Sequence, residues 1–456
     1  MTKTFSPTPS FKPFAKPFAL ASFSLVLFVA GCGAPKPPAQ SSQGHKDDTP
    51  QLKIDASSAS EPNTLVLVSP HGREIQGEFE RGFKATHPNV KLQWIDQGGT
   101  SDDLNFVLEQ FKKKKTGGIG VDLFFGGGAD TFHDLEKQDV LQPLPSSYQV
   151  PAALNGVPLR GEKNTWVAAA LSGFGVLYNK TIAARDKLPV PRVWADLGDP
   201  RLQNRIALAD PRHSGSAHMA YEIILQAQGW KRGWQTLAMM AANTRSFSPS
   251  SSKLLDDVST GEAVMAPSID FYAATKIASA GGEKLGYVDP QGQRVVTADP
   301  IGVLRGAPHQ KLAQEFVAFV MSPQGQKLWM LKKGAVGGPV NNALYRLAAV
   351  PSSYKPISPD SLIRADPYAG RNSFKFDPAK SGLRRRVLDD LIGAVLVDNK
   401  DDLRSSLSTH GAARTTFMPL SEAQANTLAA RWNDKAFRNT SISQWTQAAR
   451  AHYQAR

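Results

Sequence analysis

The chain has 456 residues, 41% of them hydrophobic and 20% charged, a globular composition with enough length for two or three domains. Its single cysteine excludes a disulfide framework, which needs pairs, and any metal site built from several thiolates. The formal net charge of +13 is spread along the sequence without aromatic-basic clustering, and the two dense runs, Lys112 to Lys115 and Arg384 to Arg386, read as solvated helix faces.

Lys3, Lys12 and Lys16 precede an apolar segment, Phe18 to Ala30, that carries no charge and runs into Gly31 and Cys32. Basic, apolar and small residues in that order make a secretory signal. The apolar run is also shorter than the roughly 20 residues a membrane-spanning helix needs. Val29-Ala30-Gly31-Cys32 resembles the bacterial lipobox, which implies a diacylglycerol on the Cys32 sulfur and cleavage just before it. Residues 1–31 are therefore read as a lipoprotein signal peptide. Residues 32–63, rich in Pro, Ser, Gln and Ala, cannot bury enough apolar surface to fold and read as a disordered tether. The expected location is the cell envelope, with a lipid anchor on the extracytoplasmic face and no nucleic acid as partner.

The folded body opens on Thr64 to Val68, a buried strand, followed by a helix with Ile75, Phe79 and Phe83 on one face. Val90 to Ile95 predicts a second strand and Ser101 to Lys115 a second helix, with Ser101 as its cap and Asp102 and Asp103 at its positive end. Val121 to Phe125 predicts a third strand running into Gly126, Gly127 and Gly128. Strands alternating with helices at this spacing predict an open α/β sheet with largely parallel strands. A second α/β unit follows, with strands in Trp166 to Tyr178, Arg205 to Leu208 and Gly261 to Ile269, and a helix over Ser214 to Gln228. The chain then returns to the first unit through Ile301 to Leu304 and a helix built on Leu312, Phe316, Val317 and Val320. The expected bodies are residues 64–168 with 298–350 as one lobe, 169–297 as the other, and 351–456 as a C-terminal helical extension. Two lobes joined by chain crossings leave a cleft, where pockets preferentially form.

Candidate ligand contacts lie where strands give way to helices. Three helix starts, at His71-Gly72, at Thr100-Ser101 and at Ser214-Gly215-Ser216, offer free backbone N–H groups and a dipole suited to anions. Gly127 lies in the loop beyond the third strand. His71 could serve an anion or a metal. Asp270 and Tyr272 alternate with Phe271, so a strand would turn both toward one side. Enzyme signatures are missing: the sequence has no Gly-x-Ser-x-Gly, His-Glu-x-x-His or P-loop pattern, and Ser214 near His213 and His218 lacks an oriented third group, so no enzyme and no cofactor is expected.

Several segments taken in order, among them Phe174 to Lys180, Trp194 to Leu197, Ile206 to Ser216, Gly261-Glu262-Ala263, Asp299 to Pro308 and Ala318 to Gln326, resemble the substrate-binding lipoproteins of bacterial ABC importers, in the branch that includes ferric-iron binders. The resemblance implies a two-lobed periplasmic-binding-protein fold acting as a monomer. It also implies delivery of a small solute to permease and ATPase subunits. Ferric iron is a possible ligand by resemblance, with His71 and Tyr272 at the matching metal positions. The acidic ligand of the iron binders falls on the glycines Gly126 to Gly128, and Phe271 stands in place of one of their paired tyrosines. Hard ferric iron favours oxygen donors, so the expected ligand is instead a small phosphorylated or carboxylated anion.

Overall fold

The computed structural model describes residues 61–114, 117–369, 374–411 and 416–455. The signal segment, Cys32 and nearly all of the expected tether lie outside the described residues.

The first elements are β1 (Thr64–Val68), α1 (Arg73–Lys84), β2 (Lys91–Ile95), α2 (Thr100–Lys113), β3 (Leu123–Phe125) and α3 (Ala129–Lys137). In α1 the four-residue spacing buries Ile75, Phe79 and Phe83. A short hairpin of β4 (Ala153–Leu154) and β5 (Val157–Pro158) leads to β6 (Val167–Asn179) and α4 (Lys180–Arg185). The chain continues through β7 (Ile206–Ala209), α5 (Gly215–Gln228), α6 (Trp230–Asn243), β8 (Thr244–Ser248), α7 (Ser251–Thr260), β9 (Met265–Ile269), α8 (Asp270–Ser279) and β10 (Leu285–Val288). It returns through β11 (Val296–Val303), α9 (Gln310–Met321), α10 (Pro323–Met330) and β12 (Leu347–Ala348). It then closes with α11 (Pro378–Ile392), α12 (Lys400–His410), α13 (Glu422–Leu428) and α14 (Lys435–Gln454).

The α/β class is as expected, but the sheet is mixed where largely parallel strands were predicted. Its main order is β2-β1-β3-β11-β6-β9-β7-β8. β1 is parallel to β2 and β3, and β7 is parallel to β8 and β9. Between these groups β11 runs antiparallel to β3 and β6, and β6 antiparallel to β9. The reason lies in the long strand β6. Val167 to Gly173 pair with β11, and Phe174 to Tyr178 pair with β9, so one strand serves both halves of the sheet. A crossing strand of this kind needs no helical crossover and is free to run antiparallel.

Two buried cores sit on either side of that crossing. The first gathers Leu65, Phe79, Phe83, Phe124, Trp166, Phe316 and Trp329. The second gathers Ile223, Trp234 and Val264 with Leu388, Leu391, Trp432 and Trp445 of the C-terminal helices. The extension thus shares the core of the second lobe. Polar contacts fix it there: Arg384 pairs with Glu222 at 2.7 Å, both fully buried, and Trp234 and Trp230 donate their indole N–H to the carbonyls of Phe417 and Leu420 at 2.6 and 2.9 Å. Among the described residues no helix is long and apolar enough to cross a membrane.

Two local expectations are corrected. Ser101 does not cap α2. Gly99 occupies the cap position with φ of 134°, a conformation only glycine takes easily, and Ser101 is exposed within the first turn. Asp270 and Tyr272 do not share a strand face either. The strand ends at Ile269 and both residues lie in the first turn of α8, where two positions are separated by about 200° around the axis.

Candidate functional site

At the pivot between the lobes, residues from five separate parts of the chain meet. His71, buried just after β1, has Nε2 2.7 Å from Oδ2 of Asp299 on β11. Arg346, buried just before β12, donates to the same carboxylate oxygen at 2.7 Å and to the Ser172 hydroxyl of β6 at 2.7 Å. The Arg346 guanidinium lies 4.1 Å from the Phe271 ring centroid and 3.4 Å from His71 Nε2. Burial alone would raise the Asp299 carboxyl. Arg346, His71 and the Gly128 N–H outweigh it and hold the group well below the ordinary carboxylate range. Beside this cluster, Asp270 accepts the N–H of Gly173 at 2.7 Å and of Phe271 at 2.7 Å. Burial nevertheless pushes its carboxyl up to about 7.

The first lobe's side of the cleft is built around glycines. Gly126, Gly127 and Gly128 all have φ between 82° and 95°. A side chain at Gly126 would lie 2.6 Å from His71 Nε2, and one at Gly127 would lie 2.9 Å from Thr100. This packing brings the starts of α1, with Gly72 as its cap, and of α2 against the β3 loop. Each helix start here already carries acid: Glu74 in α1, Asp102 and Asp103 in α2, and Asp130 in α3.

The second lobe's side differs. The starts of α5 and α7 converge on three seryl hydroxyls, with Ser251 Oγ 2.6 Å from Ser214 and 2.9 Å from Ser216. Neither helix has an acidic residue in its first turn. Ser214 caps α5 by accepting the Ala217 N–H at 3.3 Å, and Ser250 caps α7. The first N–H groups of a helix have no partner within it, so two positive helix ends face one place. They border a small pocket, with enclosed room for little more than a water molecule, lined by Phe174 of the pivot, Ser216, Ser251, Ser268 and the part-exposed Tyr272.

Of the residues proposed from sequence, His71 and Asp270 meet at the pivot, Thr100 and Gly127 pack together on the first side, and Ser214, Gly215, Ser216 and Tyr272 lie on the second. Asp299, Arg346, Ser251 and the start of α7 were missed. The run Ser248-Pro249-Ser250-Ser251-Ser252 before Leu254 and Leu255 is a readable helix start. Nothing local marks Arg346.

A family model described as bacterial extracellular solute-binding protein matches residues 119–351, half of the chain. The chain belongs to that family. Binding a solute outside the cytoplasm is the function this membership carries, and the match ends before the C-terminal helices begin. The phosphoglycerate transport regulatory protein PgtC of Salmonella typhimurium is 26% identical over 339 residues, covering 71% of this chain and 80% of that protein. Among solved structures, the periplasmic binding protein AfuA from Actinobacillus pleuropneumoniae with fructose-6-phosphate bound is 19% identical with a TM-score of 0.58, covering 73% of this chain and 98% of its own. Iron-bound HitA from Pseudomonas aeruginosa is 18% identical, also with a TM-score of 0.58, covering 73% of this chain and 100% of its own. These structural likenesses share the fold.

One arrangement invites an enzymatic reading. His218 Nδ1 lies 2.6 Å from Asp389, and its Nε2 lies 3.4 Å from the Ser381 hydroxyl. Ser381, on the face of α11 that packs against α5, is fully buried and His218 is 1% exposed, so a solute has no path to them. The trio ties the extension to α5.

Proposed function

We propose that this solute-binding protein captures a small phosphorylated or carboxylated anion between its lobes and presents it to the permease of an ABC importer. The observation that carries the reading is the convergence of the α5 and α7 starts on Ser214, Ser216 and Ser251, with no acid in either first turn. Two helix dipoles and a set of hydroxyl donors are what an anion needs. A solute that touches both sides binds the closed cleft better than the open one and so shifts the population toward closure, the state a permease would read. The relatives named for phosphoglycerate transport and bound to fructose-6-phosphate are consistent with this chemistry.

Ferric iron as cargo fits the residues poorly. The histidine at the matching position has its Nε2 turned to Asp299, and the Arg346 guanidinium lies 3.4 Å from that nitrogen. A trivalent cation there would face a fixed positive charge. Among the described residues no group of three or more His, Cys, Asp or Glu side chains is arranged to hold a metal.

The test is thermal unfolding of the full chain with 3-phosphoglycerate, fructose 6-phosphate, inorganic phosphate or ferric citrate. A bound solute at a hundredfold excess over its dissociation constant adds about 2.7 kcal/mol. An organic phosphate is expected to raise the midpoint, and a rise with ferric citrate alone refutes the reading. The anchor proposed at Cys32 predicts that Cys32→Ala moves the protein from the membrane to the soluble fraction with solute affinity unchanged; retention in the membrane fraction contradicts it.

A further inference from the structure

Helix α11 lies antiparallel along α5. Gln226 and Asp377 exchange two hydrogen bonds at one end, through Gln226 Nε2 to the Asp377 carbonyl at 2.9 Å and the Asp377 N–H to Gln226 Oε1 at 2.7 Å. Arg384 holds Glu222 in the middle, and Asp389 holds His218 toward the other end. Past that end, Arg212 of the second lobe bonds Asp398 at 2.8 and 3.0 Å. This clamp fixes where the next side chain, Arg385, must go. Its Nη2 lies 3.2 Å from where a side chain at Gly215 would begin, so the guanidinium stands over the first turn of α5, beside Ser214 and Ser216. Its Nη1 is 3.7 Å from Asp130 of α3, on the opposite side of the cleft.

That position is electrostatically odd. A cation is set against the positive end of a helix with no acid in its own first turn, and the counter-charge comes from the other lobe at more than ideal ion-pair distance. The arrangement makes sense if a third, negative group belongs between them. We propose that Arg385, supplied by the C-terminal extension, is a solute-contact residue that sets the preference for organic phosphates, and that Asp130 competes with the solute for it. Resting on the anion reading above, this makes the extension part of the binding site. With no solute, Arg385 leans to Asp130; with an anion at the α5 start, it turns to the anion and Asp130 loses its partner. Arg385 is 33% and Asp130 27% exposed, so neither is locked in the core.

The experiment is calorimetric titration of the full chain with 3-phosphoglycerate, comparing the unaltered protein with Arg385→Ala, Arg385→Lys and Asp130→Asn. The expected results are affinity reduced about tenfold or more in Arg385→Ala, a smaller loss in Arg385→Lys, and tighter binding in Asp130→Asn, because a lost charge-assisted hydrogen bond and a lost competitor act in opposite directions. If Arg385→Ala folds poorly, the Lys variant and Asp130→Asn carry the test. Arg385→Ala binding within about twofold of the unaltered protein overturns the inference while leaving the anion reading intact. Asp130→Asn weakening binding as much as Arg385→Ala also overturns it, since the pair is then only a latch between lobes. An unaltered protein that binds no organic phosphate removes both.

Discussion

The two sides of the cleft are built from the same parts and differ in charge. Each presents helix starts at the ends of sheet strands, yet α1, α2 and α3 open on Glu74, Asp102 with Asp103, and Asp130, whereas α5 and α7 open on serine and glycine. An acid in the first turn satisfies the dipole from within the chain. Where it is missing, the dipole is left for a ligand. The second side has one apparent exception, Asp270 at the start of α8, and that carboxylate is turned to the pivot, bonded to Gly173 and Phe271. A helix start is common in any α/β fold; an uncompensated pair meeting over a pocket is what gives one side its chemistry.

Detaching the extension from the second side should have the largest effect on it. Arg384 and Glu222 are fully buried, and the Arg384 guanidinium also lies over the Trp230 ring at 4.9 Å. Removing one member of such a pair leaves a buried charge alone, so Arg384→Ala is expected to cost about 3–5 kcal/mol of stability in urea unfolding. A loss below about 1 kcal/mol would mean that the extension is loosely held and that the second side ends at α5.

A smaller effect sharpens the exception. The Asp270 carboxyl titrates near 7 in the folded chain against about 3.9 in an unfolded one. Between these values the folded state keeps a proton that the unfolded state has lost, so this group lowers stability as pH rises from about 4 to about 7 and contributes no further slope above that. Asp299 acts in the opposite sense and elsewhere: its depressed carboxyl stabilises above about 3.9, and that contribution is lost as pH falls through its lower folded value. Asp103 of α2, pushed up to about 7 by burial as well, adds a slope of the same sign. Asp270→Asn should therefore reduce the fall in melting temperature between pH 4 and 7 without abolishing it, and leave the acid limb unchanged. An unaltered profile would show that Asp270 ionises normally.

How far this was legible in sequence follows from the range of each interaction. The strands and the Ser214-Gly215-Ser216 start could be read because short apolar runs and capping residues act over a few positions. Asp270 to Tyr272 was misread because alternation over three residues fits a strand as well as the first turn of a helix. The antiparallel centre of the sheet was missed because β6 is one long strand whose two halves find different partners, 87 or more residues downstream. Arg346 gave no signal, and Arg385 lies in the Arg384 to Arg386 run that reads as a solvated helix face, although Arg384 is fully buried. Arg346 and Arg385 each reach the cleft only through packing, one through the strand pairing of β12 with β6 and the other through the clamp of α11 on α5.

The most direct test of the claim that the second side receives an anion is to give it the acid it lacks. Ser216→Asp places a carboxylate in the first turn of α5, and Ser101→Asp adds one to α2, where two already stand. Titration of both full-length variants with the organic phosphate that stabilises the unaltered protein should show affinity lost by about a hundredfold or more in Ser216→Asp and changed by less than about threefold in Ser101→Asp, since a like charge set against the solute costs several kcal/mol and an exposed one far less. Equal affinity in Ser216→Asp and the unaltered protein would contradict the account.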